Sequence, residues 1–300
     1  MTQKTAQHTS VLSPSAAGVT CRRNALRHVT EIDFVKLNPT SNSTVLITSH
    51  HPVQHYQTIA EQLLSAEHLH AEQIGFVLPS ASDRAPLRLT MAGGEFCANA
   101  CMALAALHTV KQKQEASLDL VIEASGTNEL IACRVEPFSK GFRCQLGIAS
   151  PLQIEPYSFP AEHSRASVVK FHDSVHLVVE VPAPTQNLRR HALEAARQLA
   201  AREAASVVGV MLYNPADRSI TPLVHVPAVG SMIWEGSCGS GTAALGAFLS
   251  VRSQRSISLA VKQPGGILHV AADNRAGTIT NLRVTGEVSI VAEGKAYVHV

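Results

Sequence analysis

The 300-residue sequence has no apolar run long enough to cross a membrane as a helix, so no membrane association is expected. It has almost no charge imbalance. With 25 Lys and Arg against 23 Asp and Glu, the formal charge of +2 gives no footing for nucleic acid. The 15 histidines are scattered. His50-His51 and the His68/His70 pair lack companion Cys or His at structural-zinc spacing, so no metal site is expected. Cys21, Cys97, Cys101, Cys133, Cys144 and Cys238 do not form the dense framework of a small secreted domain, and a chain of this length does not need one. Residues 1–27 lack any acidic residue and any apolar signal core. With Arg22, Arg23 and Arg27 they read as a flexible N-terminal extension, and the expected location is cytoplasmic. Lastly, no Lys follows the glycines of Gly239-Ser240-Gly241, which argues against a phosphate loop.

What is present describes a globular α+β chain, 45% hydrophobic and 16% charged. Strands are predicted at 32–37, 44–48, 73–78 and 87–91, with a helix at 53–66 and another from the Cys97 turn to about Lys111. Strands at 118–124, 129–136 and 141–148 follow. The order then starts over: strands at 166–171 and 176–181, a helix at 187–203, strands at 207–213 and 220–226, a helix at 241–252, and strands at 257–262, 267–271, 279–285 and 287–299. This predicts two pseudo-symmetric lobes, each a mixed or antiparallel sheet wrapped around a central helix, with a cleft between them. The expected boundaries are 28–148 for the first lobe, joined by a returning segment at 286–300, and 149–285 for the second.

Two segments carry the chemistry. Gly93-Gly94-Glu95-Phe96-Cys97-Ala98-Asn99 and Trp234-Glu235-Gly236-Ser237-Cys238-Gly239-Ser240-Gly241 each place an acidic residue just before a cysteine and an Ala-rich helix just after it. A helix start favours a thiolate and binds a carboxylate through its bare amides. Two such turns facing one cleft suit inversion of a stereocentre. One cysteine, as thiolate, removes the α-proton, and the other, as thiol, delivers a proton to the opposite face. Cys101 is one helical turn beyond Cys97 and reads as a packing residue; Cys133 and Cys144 lie in strand-like runs and read as structural.

At these residues the chain resembles the diaminopimelate epimerase superfamily, two-lobed enzymes that use two cysteines and no cofactor. Within it the chain resembles the histidine racemases of staphylopine-type metallophore biosynthesis. The shared segments are Lys36 to Leu46, Glu72 to Phe76, Met91 to Ala100, Val208 to Leu212, Ile233 to Ala243, Gln263 to Gly266 and Gly294 to Tyr297. The resemblance implies that Cys97 and Cys238 are the acid/base pair. It implies that Asn42, Glu72, Ala98, Asn99, His176, Glu235, Gly239, Ser240 and Gly241 surround the substrate. From the residues alone, Asn42 also reads as a turn residue, Glu72 as a solvated strand end and His176 as a satisfied core histidine. Ala98 stands where the first motif usually has Gly.

The chain departs from diaminopimelate epimerase, which the resemblance implies must grip a distal amino-acid group with polar residues: Met91, Val207 and Ser174 stand at three such positions here, and Val226 to Gly230 has no Arg or Glu. An unpaired distal carboxylate would be costly there. The expected function is a cofactor-independent amino-acid racemase acting on histidine, for an opine-type metallophore. A diaminopimelate or other basic amino-acid epimerase is the alternative, and a thiol-redox or binding protein on the same scaffold is a third reading. The expected partner is the small amino-acid substrate, and the exposed strands of such folds suit a homodimer.

Overall fold

Twice along the chain a β-hairpin leads into two β–α–β crossovers, and this repetition places the two cysteine turns in equivalent positions. The computed structural model describes residues 29–80, 85–161 and 164–300; the expected extension at 1–27 lies outside the described residues. The first half contains β1 (Val29–Pro39), β2 (Thr44–Ile47), α1 (Tyr56–Leu64), β3 (Gln73–Leu78), β4 (Leu87–Met91), α2 (Ala98–Lys111), β5 (Leu118–Ala124), β6 (Ile131–Phe138) and β7 (Gly141–Ile148). The second contains β8 (Gln153–Pro156), β9 (Arg165–Lys170), β10 (Ser174–Glu180), α3 (Gln186–Glu203), β11 (Val207–Asn214), β12 (Ser219–Val226), β13 (Ser231–Trp234), α4 (Gly239–Ser253), β14 (Ile257–Gln263), β15 (Gly266–Arg275) and β16 (Thr278–His299).

The crossovers are the parallel pairs: β2 with β3, β4 with β5, β10 with β11 and β12 with β14. The other pairings are antiparallel. In the first lobe the strand order β1-β2-β3-β4-β5-β6-β7-β16 closes on itself, because β16 also pairs with β1. The second lobe continues from β16 through β15, β14, β12, β11, β10 and β9 to β8, with β13 on β12.

β16 belongs to both lobes. Leu282 to Val288 pair with β7, residues near its start pair with β15, and Val288 to His299 pair with β1. The sequence reads as two strands here. The chain instead runs straight through Gly286, where a side chain would press on Leu268 and Thr40. Two short strands, β8 and β13, were not expected, whereas each cysteine helix begins at the residue directly after its cysteine.

Helices α2 and α4 are apolar nearly all round. Ala98 to Leu107 are buried in α2, and most of Gly239 to Phe248 in α4, so each is a core helix wrapped by strands. Their Ala and Gly content lets the strands come close: a side chain on Gly246 would reach within 2.3 Å of Val270. Helices α1 and α3 are amphipathic and lie on the outside. α1 buries Tyr56, Ile59, Ala60 and Leu63, and each large side chain contributes about 1.5–3 kcal/mol. α3 buries Ala192, Ala195, Ala196 and Leu199. Among the described residues no helix is long and apolar enough to cross a membrane.

Candidate active site

Each cysteine is the N-cap of its helix, and the two caps have nearly the same geometry. Cys97 has φ −128° and ψ 108°, and Cys238 has φ −134° and ψ 112°. Cys97 Sγ accepts the Ala100 amide at 3.4 Å, and Cys238 Sγ accepts the Gly241 amide at 3.4 Å. Thiols here do the work that Ser, Thr or Asp does at most helix starts.

The two starts meet. Asn99 Oδ1 accepts the Gly239 amide at 3.0 Å, and Asn99 Nδ2 donates to the Ser237 carbonyl at 3.1 Å and to Ser237 Oγ at 3.3 Å. Asn42, in the β1–β2 turn, donates to the same carbonyl at 3.0 Å and to Glu72 Oε2 at 3.2 Å. From the other lobe, the Asp173 carboxylate in the β9–β10 turn accepts the amide of Phe96, the residue before Cys97. Each hairpin turn thus holds the residue preceding the opposite lobe's cysteine.

A small cavity of about 20 Å³ lies between the turns, lined by Cys97, Cys238, Asn42, Asn99, Glu235, Ser240 and their neighbours. That is room for roughly one water, so an amino acid enters only if the walls part. Glu235 is 4% exposed and accepts Gln73 Nε2 at 2.6 Å. Burial pushes its carboxyl up to about 8, and Glu72 adds to the rise; hydrogen bonds from Gln73, Cys238 and Asn42 pull the other way. Burial also raises Glu72 to about 7, against a hydrogen bond from the Gly236 amide.

Both thiols are raised by burial first and by the Glu235 carboxyl second, although Cys97 keeps partial solvent exposure. The helix amides of Ala100 and Gly241 lower them, as expected for a helix start, but desolvation is larger. The helix-start argument therefore has the right sign for its own contribution and the wrong sign for the sum.

Of the residues singled out in the sequence, the cavity wall brings together Cys97, Cys238, Asn42, Ala98, Asn99, Glu235, Gly239 and Ser240. Gly241 serves Cys238 from behind, through its amide. Glu72 stands behind Asn42. His176 does not reach the wall. Its ring is fully buried on β10, edge-on to Phe171 at 5.9 Å, and a side chain on Gly209 would fall 2.3 Å from Nδ1. Among the described residues neither ring nitrogen has a partner, and burial lowers its pKa to about 4.

Three contributors escaped the sequence. Gln263 Oε1 accepts the Cys238 amide at 2.8 Å, while its Nε2 donates to Thr242 Oγ1 at 2.9 Å. Gln73 holds Glu235, and Asp173 holds Phe96. Gln73 and Gln263 lie inside segments that carry the family resemblance, but nothing in them marked an amide as a holder of the site; Asp173, in a hairpin turn, carried no signal.

The chain is similar to known proteins over nearly its whole length. Residues 31–297 match the model of the histidine racemase CntK N-terminal domain. A histidine racemase of Staphylococcus aureus is 32% identical over 276 residues, 89% of this chain and 98% of that protein. A histidine racemase of Fusobacterium nucleatum is 27% identical over 274 residues, 91% of this chain and 98% of that one. The fold is shared with a hydroxyproline epimerase from Agrobacterium vitis, with a TM-score of 0.68 at 10% identity, covering 91% of this chain and 93% of that one. The chain belongs to the histidine racemase family, and it is an isomerase of the amino-acid racemase class.

Proposed function

We propose that this racemase interconverts L- and D-histidine without a cofactor, using Cys97 and Cys238 as the two bases. The observation that carries the reading is the pair of thiol-capped helix starts lining one cavity and joined through Asn99. The relatives' names support histidine as the substrate.

The substrate carboxylate docks at the helix starts, where the first-turn amides of Ala98, Asn99 and Ser240 have no hydrogen-bond partner among the described residues. There the helix dipoles stabilise charge that grows as the α-proton leaves. One cysteine, as thiolate, takes that proton and becomes a thiol. The other, as thiol, gives its proton to the opposite face and becomes a thiolate. The pair thus ends with its protonation exchanged, ready for the reverse direction.

Burial and the charged form of Glu235 disfavour thiolate in the closed cavity. With its carboxyl raised to about 8, Glu235 is mostly protonated near neutral pH, and in that form it donates a hydrogen bond to a Cys238 thiolate instead of repelling it. The product is suited to an opine-type metal chelator, the role of the family branch the sequence resembles.

The test is incubation with L-histidine in deuterated water, following α-deuterium and chirality together. Wild-type protein is expected to exchange and racemise. Cys97→Ser and Cys238→Ser are each expected to lose racemisation by at least about 10³-fold. Racemisation that survives either substitution overturns the two-cysteine reading, and exchange of other amino acids but not histidine overturns the substrate.

A further inference from the structure

Three carboxyl groups surround the cleft, and they are not equivalent. Glu72 Oε2 accepts the Asn42 amide, and Glu235 Oε1 accepts Gln73. Glu95 is 4% exposed, and among the described residues no donor reaches its buried Oε2 with hydrogen-bond geometry, although the Gly93 and Glu95 amides face the carboxyl. A buried acceptor left unpaired costs about 1–3 kcal/mol, so native proteins retain few without a reason.

Its position suggests the reason. Glu95 lines the same cavity as the two cysteines. A Cβ built on Gly93 would lie 2.6 Å from Glu95 Oε2 and 2.8 Å from Val226 Cγ1, so this oxygen and this valine lie side by side. Val226 also lines the cavity, together with Val207 and Val224. Asn42, Gln73, Asn99 and Glu235 are tied to the helix starts or to one another. Beyond them, the two thiols and Ser240, whose hydroxyl lies 3.5 Å from Cys238 Sγ, the described wall is apolar except for Glu95.

We propose that Glu95 is the residue that reads the substrate's side chain, accepting the ring N–H of imidazole while Val207, Val224 and Val226 enclose the ring. This rests on the histidine reading given under Proposed function. Apolar walls alone discriminate weakly between rings of similar size. A buried acceptor left unpaired by the wrong ring discriminates far better. Imidazole also suits either protonation state of the carboxyl, since it offers one N–H and one bare nitrogen. Burial lifts Glu95 to about 7, with the Gly93 and Glu95 amides opposing the rise and Asp173 adding to it. Gly93 is then required, because a side chain there would displace the carboxyl.

The test compares α-proton exchange of L-histidine with that of 3-(2-thienyl)-L-alanine, whose ring is of similar size and has no N–H. Wild-type protein is expected to prefer histidine by at least about 100-fold in kcat/KM. In Glu95→Leu the preference is expected to fall to within about 10-fold, through a rise in KM for histidine. Glu95→Gln, whose amide oxygen still accepts, is expected to fall between them. Thienylalanine exchange reports in each variant whether the cysteine machinery has survived. A wild-type preference under about 10-fold overturns the assignment, and that arm needs no variant. So does a Glu95→Leu protein that loses both substrates equally or keeps its preference. Wild-type exchange of other amino acids but not histidine defeats the substrate reading first, and this inference with it.

Discussion

Asn99 in α2 holds the backbone amide of Gly239 at the start of α4, with Oδ1 to N at 3.0 Å, and so couples the two cysteine turns through one side chain. The same amide group reaches Ser237 through its Nδ2. Each lobe thereby fixes the position of the other's thiol, and the caps need no covalent link.

Asn99→Ala leaves the Gly239 amide unpaired and takes one partner from the Ser237 carbonyl. Stability is expected to fall by about 1–3 kcal/mol, measured by denaturant unfolding. The activity loss is expected to be larger, about 10²-fold in kcat/KM, because the thiols lose their mutual alignment. Unfolding and isotope exchange on the same preparations separate the two effects.

Gly239 and Ala98 occupy equivalent positions after the two cysteines, and only one of them has room for a methyl. A Cβ on Gly239 would lie 2.9 Å from Ala98 Cβ and 2.7 Å from Asn99 Oδ1. Gly239→Ala is expected to destabilise by about 1–3 kcal/mol. Adding Ala98→Gly should recover the part due to the methyl contact and leave the part due to Asn99. A double-mutant cycle is expected to show coupling of about 0.5–2 kcal/mol.

Buried titrating groups make stability depend on pH. Glu235 is raised from near 4.5 to about 8, so folding favours its protonated form. Its contribution is full below the unfolded value and lost as pH rises through about 8. Glu72 and Glu95, both raised to about 7, act in the same direction. His176 is opposite: lowered from 6.5 to about 4, it contributes fully above 6.5 and loses this as pH falls through about 4. Above the histidine window the carboxyls act alone. Unfolding free energy is therefore expected to fall between about pH 6.5 and 8, and Glu235→Gln to flatten that fall. Urea titrations across this range provide the measurement.

Asp173 acts on Cys97 only through the Phe96 amide, while it also accepts Ser206 Oγ at 2.8 Å. As a positioning residue it should affect kcat more than KM. Asp173→Ala is expected to lower kcat about 10-fold with KM little changed, and Asp173→Asn, which keeps an acceptor, to recover most of the loss. Initial-rate kinetics on both variants decide it.

Much of the fold was legible because its signals are local. The helix after Cys97 and the helix after Cys238 follow from glycine-permitted turns and Ala-rich runs, and the repeated strand order follows from alternating apolar residues. The four-residue strands β8 and β13 were not legible because no residue of either is fully buried; the equally short β2, buried at all four positions, does register. In the site, Cys97, Cys238 and Glu235 could be marked as candidates from the two cysteine motifs, and Asn99 from the family resemblance. Glu72 behind Asn42, and His176 beneath Gly209, depend on which neighbour occupies the intervening space.

By itself, then, the sequence determined where each cysteine sits relative to its helix. An N-cap is decided within one turn of backbone, and the sequence spells that turn out. Only the tertiary structure decided what the cysteines experience there. The Asn99 bridge and the effect of Glu235 on Cys97 come from the opposite lobe, and the rise of both thiols comes mostly from what packs around them. Desolvation depends on everything that packs around a group, and here it outweighs the helix amides that the sequence alone could supply.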